Sequence, residues 1–516
     1  MPKPPNFLFL HSDEHSFRFL SSRPADRGGE PCRTPTLDGL AAQGTAFDNA
    51  YCQMPLCTPS RISMLTGRHS HRCAAWSNMS VLDPELPTFG SHLRREGYAT
   101  STIGKMHIGG SAQYAGFGDR PYGDFGGPCS HQWDPLSHPE GGRGGSEIRS
   151  RTVDAGVSEI PEGLLQENVV AREAVSWIRE HRHANPETPW LCYTSFSRPH
   201  FPLTAPKRFF DRYYPEGVTP PRVGPTGDSA DHPMTAGAVK GFRTEEVGDE
   251  EGLKARAAYF AAVDFLDEIL GDFLALLDRD GSLDNTVIVY TADHGEMCGE
   301  HGLWWKNTWH EASSHVPMII STPEHRRGDI DASLVTVPVS LADCFPTLCG
   351  LAGVSVPEGL DGVDLSPAVR GSACKALTDR PGVIAESLAG RWGEGTEFRM
   401  LRSERYKYIA FRGCDDLAFD MESDPDEQVN LLKDPNPEIS AELTRMRKTI
   451  HDDFSFETAP AEMERRSTEL IERYPRKVTP KTPNQIWLGN GKLVEADAPL
   501  YDPTVLSEDA SSDFTR

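Results

Sequence analysis

The sequence predicts an α/β fold: a mostly parallel central sheet flanked by helices on both faces, followed by a smaller C-terminal α+β unit. Three observations lead there. Through the first three hundred residues, short apolar runs of strand length alternate with stretches whose apolar residues recur at helical spacing. The strand-like runs are continuously apolar, as strands buried on both faces are. Near residue 375 the alternation gives way to paired strands, turns and one helix, and a chain of 516 residues exceeds one ordinary core.

The elements follow in order. Residues 6–11 form a compact apolar strand. Leu37, Leu40 and Ala41 share a helix face that Gly44 can close. In 57–68, Pro59 suits the first turn of a helix, Ile62 and Leu65 share a face, and Gly67 can end it. Residues 86–96 read as a helix stopped by Gly97, and 98–103 as a strand. Residues 109–160, rich in Gly, Pro, Ser and Asp, read as long loops that serve as a lid or pocket wall. Val169, Val170, Ala174, Trp177 and Ile178 mark a helix face, and 190–196 a strand. Residues 218–250 again read as loops. Ala257, Phe260, Val263, Leu270, Phe273, Leu274 and Leu277 make a long apolar stripe explained by core packing. Residues 286–291 and 316–321 are buried-strand runs. Residues 398–411 read as two strands about a polar turn, 420–432 as acidic turns, and 437–453 as a helix. The last sixty residues are polar and contain proline, as an arm around a neighbouring subunit or a tail would be. The expected units are 1–375, 376–455 and a C-terminal extension 456–516 available for homo-oligomer formation.

The formal net charge is −24 and the isoelectric point about 5.2. Such a chain is a poor general binder of nucleic acid or anionic membranes, so an anionic substrate needs a locally positive site. The apolar run at residues 7–10 is too short for a signal-peptide core, and no apolar run reaches membrane-spanning length. Eleven cysteines, an odd number, show neither zinc-site nor disulfide spacing. Cys192 and Cys349 read as small buried hydrophobes. A cytoplasmic location is the simplest fit.

Open parallel sheets bind ligands beyond the carboxyl ends of their strands. There the sequence places Ser12, Asp13 and Glu14; then Gly104, Lys105, Met106 and His107; then Arg198, Pro199 and His200; then Asp293, His294, Gly295 and Glu296. Any one such cluster is an ordinary turn, but four at one edge point to a site. Asp13, Asp293 and His294 offer two carboxylates and an imidazole, suited to Ca²⁺ or Mg²⁺ and also to Mn²⁺. Cys57, at a helix N-terminus where an anion is favoured, reads as a buried cysteine or as an activated thiolate near that metal.

The segment Cys57-Thr58-Pro59-Ser60-Arg61, with Leu65-Thr66-Gly67-Arg68 after it, resembles the sulfatase signature Cys-x-Pro-Ser-Arg and its extension. Asp13, Gly104-Lys105-Met106-His107, Arg198-Pro199-His200, Asp293-His294-Gly295-Glu296 and Lys306 resemble that family's other motifs in the same order, over about residues 5–435. The resemblance implies an alkaline-phosphatase-like fold and oxidation of Cys57 to formylglycine by a maturation enzyme. It also implies one divalent metal ion, Ca²⁺ before Mg²⁺ or Mn²⁺, on Asp13, Asp293, His294 and the residue at 57. On this likeness a hydroxyl of the hydrated aldehyde attacks a sulfate ester. Lys306 and the metal hold the sulfate oxygens. His200, with Lys306, protonates the leaving oxygen, and His107 deprotonates the second hydroxyl beside Lys105 and Arg61. Glu14 stands where the family usually has a second aspartate, so its place as a metal ligand stays open. Asp-His at 293–294, in place of Asp-Asn, resembles choline sulfatases, phosphonate monoester hydrolases and some glycan sulfatases. The expected substrate is therefore a carbohydrate or small-alcohol sulfate ester, with phosphonate monoester or phosphodiester cleavage as the alternative.

Trp309 and His310 stand beyond the second metal motif and are candidates for a substrate wall; Glu300 and His301 are weaker ones. Trp304 or Trp305, or both, read as core. His131, Trp133 and His138 read as surface-loop residues before substrate contacts.

Overall fold

Continuous apolar strands need cover on both faces, and that requirement organises the molecule. The computed structural model describes residues 3–123, 152–434 and 436–474, with the backbone of two short strands, Gln485–Trp487 and Leu493–Glu495. His131, Trp133 and His138 lie outside the described residues. Strand β1 (Asn6–Asp13) sits near the middle of a nine-stranded sheet. The other members are β2 (Thr45–Tyr51), β3 (Ala99–Gly104), β4 (Asp119–Tyr122), β5 (Trp190–Pro199), β6 (Thr286–Ala292), β7 (His315–Ser321), β8 (Ser333–Val335) and β9 (Val339–Ser340). The order is β8-β2-β7-β6-β1-β5-β3-β4, with β9 also on β2. Every pairing is parallel except those of β7, which runs against both β2 and β6.

Alternation along β1 divides the core. Leu8 and Leu10 join one apolar cluster with Ala257, Phe260, Val263 and Leu270 of the long helix α5 (Asp249–Arg279) and with Val170, Ala174 and Ile178 of α4 (Gln166–Ala184). Phe7 and Phe9 join the other. There they meet Ile62 and Leu65 of α2 (Cys57–Thr66), Leu93 of α3 (Phe89–Arg95), and Phe345 and Leu348 of α6 (Cys344–Ala352), whereas the short helix α1 (Pro35–Ala42) buries Leu37 and Leu40 in the first cluster. This is the helix-flanked, mostly parallel sheet expected.

Behind it an antiparallel sheet runs β10 (Val383–Ser387), β11 (Phe398–Arg402), β12 (Tyr406–Phe411) and β13 (Leu417–Asp420). Helix α7 (Pro437–His451) packs Leu443, Met446 and Ile450 on Leu401, Tyr408 and Ala418.

Three elements differ from expectation. Helix α3 begins at Phe89 rather than near 86, because Pro87 precedes it and Thr88 and Ser91 form a reciprocal cap. The stretch 218–250, read as loops, contains a helix at Pro233–Phe242. Gly237 and Gly241 obscured its Met234, Ala238 and Phe242 face, and Gly237 is needed where the Trp392 carbonyl would meet a Cβ. Within the polar end, α8 (Ala459–Arg473) is a helix whose Met463 and Leu470 pack on Ala74 and Val81. Trp76 donates its indole N–H to Ser467 Oγ at 3.1 Å, so this part of the extension covers its own chain. Trp304 and Trp305 are both buried.

Candidate active site

Because β1, β3, β5 and β6 run parallel, their C-terminal ends open at one edge. Asp13 is the last residue of β1 and pairs with Pro199 at the end of β5, directly before His200. Lys105 follows β3 and Asp293 follows β6. Asp13, Asp293 and His294 are 0 % exposed, which burial of charge permits only with partners.

Arg61 is the partner that joins the two acids. Its Nε lies 2.9 Å from Asp293 Oδ2 and its Nη2 3.1 Å from Asp13 Oδ2. Its Nη1 donates to the Lys105 carbonyl at 2.8 Å and to Ser195 Oγ at 2.9 Å. A planar guanidinium presents five N–H donors in a rigid fork, enough for these four acceptors, where an ammonium has only three. Arg61 is in place because α2 starts at Cys57, four residues earlier, and one helical turn carries it under the first residue. Ser60 Oγ ties the same turn to the Asp293 carbonyl at 2.5 Å.

Around Cys57 Sγ stand His294 Nε2 at 3.1 Å, Lys306 Nζ at 3.4 Å and Asp13 Oδ1 at 3.9 Å. His107 hydrogen-bonds the same thiol. Lys105 is ion-paired with Asp13, and Lys306 with Glu14 at 3.0 Å. His200 Nε2 lies 3.3 Å from Glu14 Oε2 and 3.9 Å from Asp13 Oδ1, while its Nδ1 faces the Phe201 carbonyl at 2.7 Å. Cys57, Arg61, Lys105, His107, His200, Lys306, Asp13, Glu14, Asp293 and His294 thus gather at one edge of the sheet.

The electrostatics follow. Burial pushes the Cys57 thiol up, but Lys306, Lys105 and His294 outweigh it and hold it well below the usual thiol range. Burial and the Cys57 sulfur push Asp13 up, yet Lys105, His200 and Arg61 hold it below the usual carboxylate range. Burial, with Lys105 and Lys306 nearby, takes His200 down to about 3. Burial, with Glu296 and Asp13 close by, pushes Glu14 well up despite Lys306.

Ligand-bearing atoms of Asp13, Cys57, Asp293 and His294 lie within 4.8 Å of one another, as do those of Asp13, Glu14 and His200. Two carboxylates, an imidazole and a position-57 donor fit one divalent cation, and the carboxyl crowding at Glu14 is of the kind a cation relieves.

The loop after β6 is held firmly. Glu296 accepts the N–H of Trp305 at 2.5 Å and of Cys298 at 2.9 Å, and Met297 N–H donates to the Trp305 carbonyl at 2.7 Å. Trp305 and Asn307, which flank Lys306, have φ of 83° and 65°. The structure places Trp309 and His310 differently from an open pocket wall: Trp309 is 0 % and His310 1 % exposed. The Trp309 ring packs edge-on to Phe411 and His232, and the His310 ring lies 4.3 Å from that of His301. Glu300 accepts backbone N–H groups of Arg222 and Val223 at 2.9 and 3.0 Å, which fixes a loop. Sequence reasoning missed Asn78, whose Oδ1 accepts the Thr58 N–H at 3.2 Å at the start of α2, and Ser195 under Arg61. Asn78 stands in an aperiodic polar stretch and carries no local signal; Ser195 reads only as one more strand residue.

The sulfatase family model matches residues 5–354, and the model for the C-terminal part of N-sulphoglucosamine sulphohydrolase matches residues 299–453. Choline-sulfatase of Rhizobium meliloti (strain 1021) is 32% identical over 482 residues, 91% of each chain. Among solved structures, the phosphonate monoester hydrolase of Agrobacterium radiobacter superposes with a TM-score of 0.71 at 22% identity, covering 96% of this chain and 100% of that one. A protein solved with its substrate D-glucosamine-2-N,6-O-disulfate superposes with a TM-score of 0.67 at 21% identity, covering 88% of this chain and 100% of that one. At those identities the structures speak for the fold alone.

Proposed function

The chain belongs to the sulfatase family and is a sulfuric ester hydrolase, and we propose that it cleaves the sulfate monoester of a carbohydrate or small alcohol at Cys57. The observation that carries this reading is the position of Cys57: on the first turn of α2, within 3.4 Å of both His294 and Lys306, beside the acid pair that Arg61 joins. Three cations, Arg61, Lys105 and Lys306, gather there in a chain whose formal net charge is −24. With a divalent cation held by the acids they pair with, they would make the local positive site an anionic ester needs against the global field.

In this reading Asp13, Asp293, His294 and the residue at 57 hold one divalent cation, Ca²⁺ by preference, with Glu14 as a further oxygen donor. The ion would polarise the sulfate oxygens, and formylglycine at 57 would supply a hydrated aldehyde, with one hydroxyl for attack on sulfur and a second for expelling sulfate. The chain's own residues do the rest. Lys306 stays protonated between Cys57 and Glu14, binds a sulfate oxygen and is the standing proton donor to the leaving group. His200 is neutral in the free site, and the negative charge of a bound ester is what favours its protonated form, so it takes up a proton from solvent as the ester binds. His107 takes a proton from the group at 57, Arg61 and Lys105 keep Asp13 ionised, and Arg61 holds both acids in place. Cys57 is 1 % exposed, so the maturation enzyme has to reach it before the fold closes. Ten free thiols among the described residues fit a reducing compartment.

Mass spectrometry of the peptide carrying Cys57, together with turnover of 4-nitrophenyl sulfate and of phenylphosphonate esters, tests the reading. Protein from its native host should carry the aldehyde and prefer the sulfate. Unmodified thiol in an active sample would refute covalent catalysis at 57. Much faster phosphonate turnover would select the alternative that the Asp293–His294 pair raises.

A further inference from the structure

The segment after β10 brings an arginine to the active-site loop. Arg391 is exposed, yet its guanidinium is not loose: its Cζ lies 4.5 Å from the Trp305 ring centroid, 5.2 Å from that of Trp392 and 6.0 Å from that of Phe242. Those three rings pack on one another in edge-on contacts with centroids 4.7 to 5.9 Å apart. The shelf is anchored to the loop that carries Lys306. Trp392 donates its indole N–H to the Asn307 carbonyl at 2.7 Å, and Ser387 Oγ donates to Asn307 Oδ1 at 2.9 Å. Lys306 Nζ lies 5.4 Å from the same Trp305 ring and 3.4 Å from Cys57 Sγ, so the Arg391 guanidinium and the cation at the reacting position both lie beside one indole.

The charges differ between the two. Arg61, Lys105 and Lys306 are committed to Asp13, Asp293 and Glu14. Arg391 forms no ion pair with a carboxylate among the described residues, although the chain carries many more acids than bases. An aromatic shelf removes rotamer freedom from a guanidinium while leaving its N–H edge to bind, and that edge matches a planar carboxylate or a sulfate.

We propose that Arg391, laid on the Trp305, Trp392 and Phe242 rings, is the specificity residue of a leaving-group subsite that takes a second anionic group, so that the preferred ester carries a carboxylate or further sulfate on its alcohol portion. This rests on the reading of Cys57 and Lys306 as the reacting centre. An uncharged or cationic alcohol gains nothing from this residue.

The test compares 4-nitrophenyl sulfate with two carboxylated aryl sulfates of different reach, 4-sulfooxybenzoate and 6-sulfooxy-2-naphthoate, on the matured enzyme and on Arg391→Gln and Arg391→Lys. The wild type should favour at least one carboxylated ester. Arg391→Gln should lose about tenfold or more in kcat/KM on it, mostly through KM, while 4-nitrophenyl sulfate changes less than about twofold. Arg391→Lys should recover part of the loss. Isothermal titration of the favoured carboxylated ester into Cys57→Ala and Cys57→Ala/Arg391→Gln protein should show the same weakening without turnover. Equal losses on all three esters, or no wild-type preference for either carboxylated one, overturns the proposal. Failure of matured wild type to turn over any of the three overturns the reading of the reacting centre instead.

Discussion

Arg61 shows how much one side chain decides. Its guanidinium satisfies Asp13, Asp293, the Lys105 carbonyl and Ser195 with none of itself exposed. Removing it leaves buried Asp293 without its cation and Asp13 with Lys105 in place of two partners, a loss of about 3–5 kcal/mol by the usual behaviour of broken buried pairs. Arg61→Gln should therefore lower the denaturant midpoint strongly, and Ca²⁺ should restore part of the loss by compensating the same carboxylates. No effect of Ca²⁺ on either protein would remove the metal assignment. Cys57→Ala makes the opposite prediction: turnover is abolished while the melting temperature stays near that of the unmodified thiol protein. Substantial residual turnover would exclude a nucleophile at 57.

Elements deliver these residues, and the ends of strands matter more than their middles. Gly104 ends β3 with φ of 90°, and a Cβ there would lie 2.0 Å from the Ser195 carbonyl oxygen on the neighbouring strand. The close approach lets the Lys105 N–H donate to that same carbonyl at 3.0 Å, which aims Lys105 at Asp13. Gly104→Ala should cost at least about 2 kcal/mol, from left-handed strain plus displaced backbone. It should also reduce turnover; a denaturation midpoint equal to wild type would contradict the argument. The Gly104-Lys105-Met106-His107 motif was legible in the sequence, and so was the helix opening at Cys57, because both are local and short. Helix Pro233–Phe242 and α8 were not. Their helical spacing is broken by glycines in one case and diluted by charge in the other, and only the surfaces they cover make them stable.

On the scale of the whole molecule, buried charge ties the two sheets together. Lys407 of β12 reaches Glu311 at 2.9 Å and Glu427 at 2.7 Å, and Glu311 also accepts from Tyr51 at 2.7 Å. Lys407→Met should cost about 3–5 kcal/mol, read by chemical denaturation, because it removes the buried cation that Glu311 and Glu427 share. Acid should destabilise the protein as well. Burial, with Arg18 nearby, takes His301 down to about 3, and burial takes His15 to about 4. The unfolded chain binds those protons near the ordinary histidine value, so stability is fully present above about 6.5 and is lost as pH falls toward 4. Glu386, held down to about 2 against its burial by His71 and Arg399, extends the loss below the ordinary carboxylate range. Melting temperatures at pH 7.5 and 5 should differ, and less so in His301→Asn, whose residue tolerates the left-handed backbone there. An unchanged pH slope in the variant would refute the role of His301.

The sequence alone determined the layered α/β plan, since continuous apolar strands alternating with amphipathic helices have few other ways to bury both faces. It also carried the family likeness, because that is written in short contiguous motifs. Only the tertiary structure decided which polar residues meet and which are sealed. Asn78 and Ser195 come beside α2, Trp309 and His310 go into packing, and Arg391 arrives at the Lys306 loop from another sheet. These are contacts between residues far apart in the chain, set by strand order and by the helices laid over it, and no local pattern encodes them.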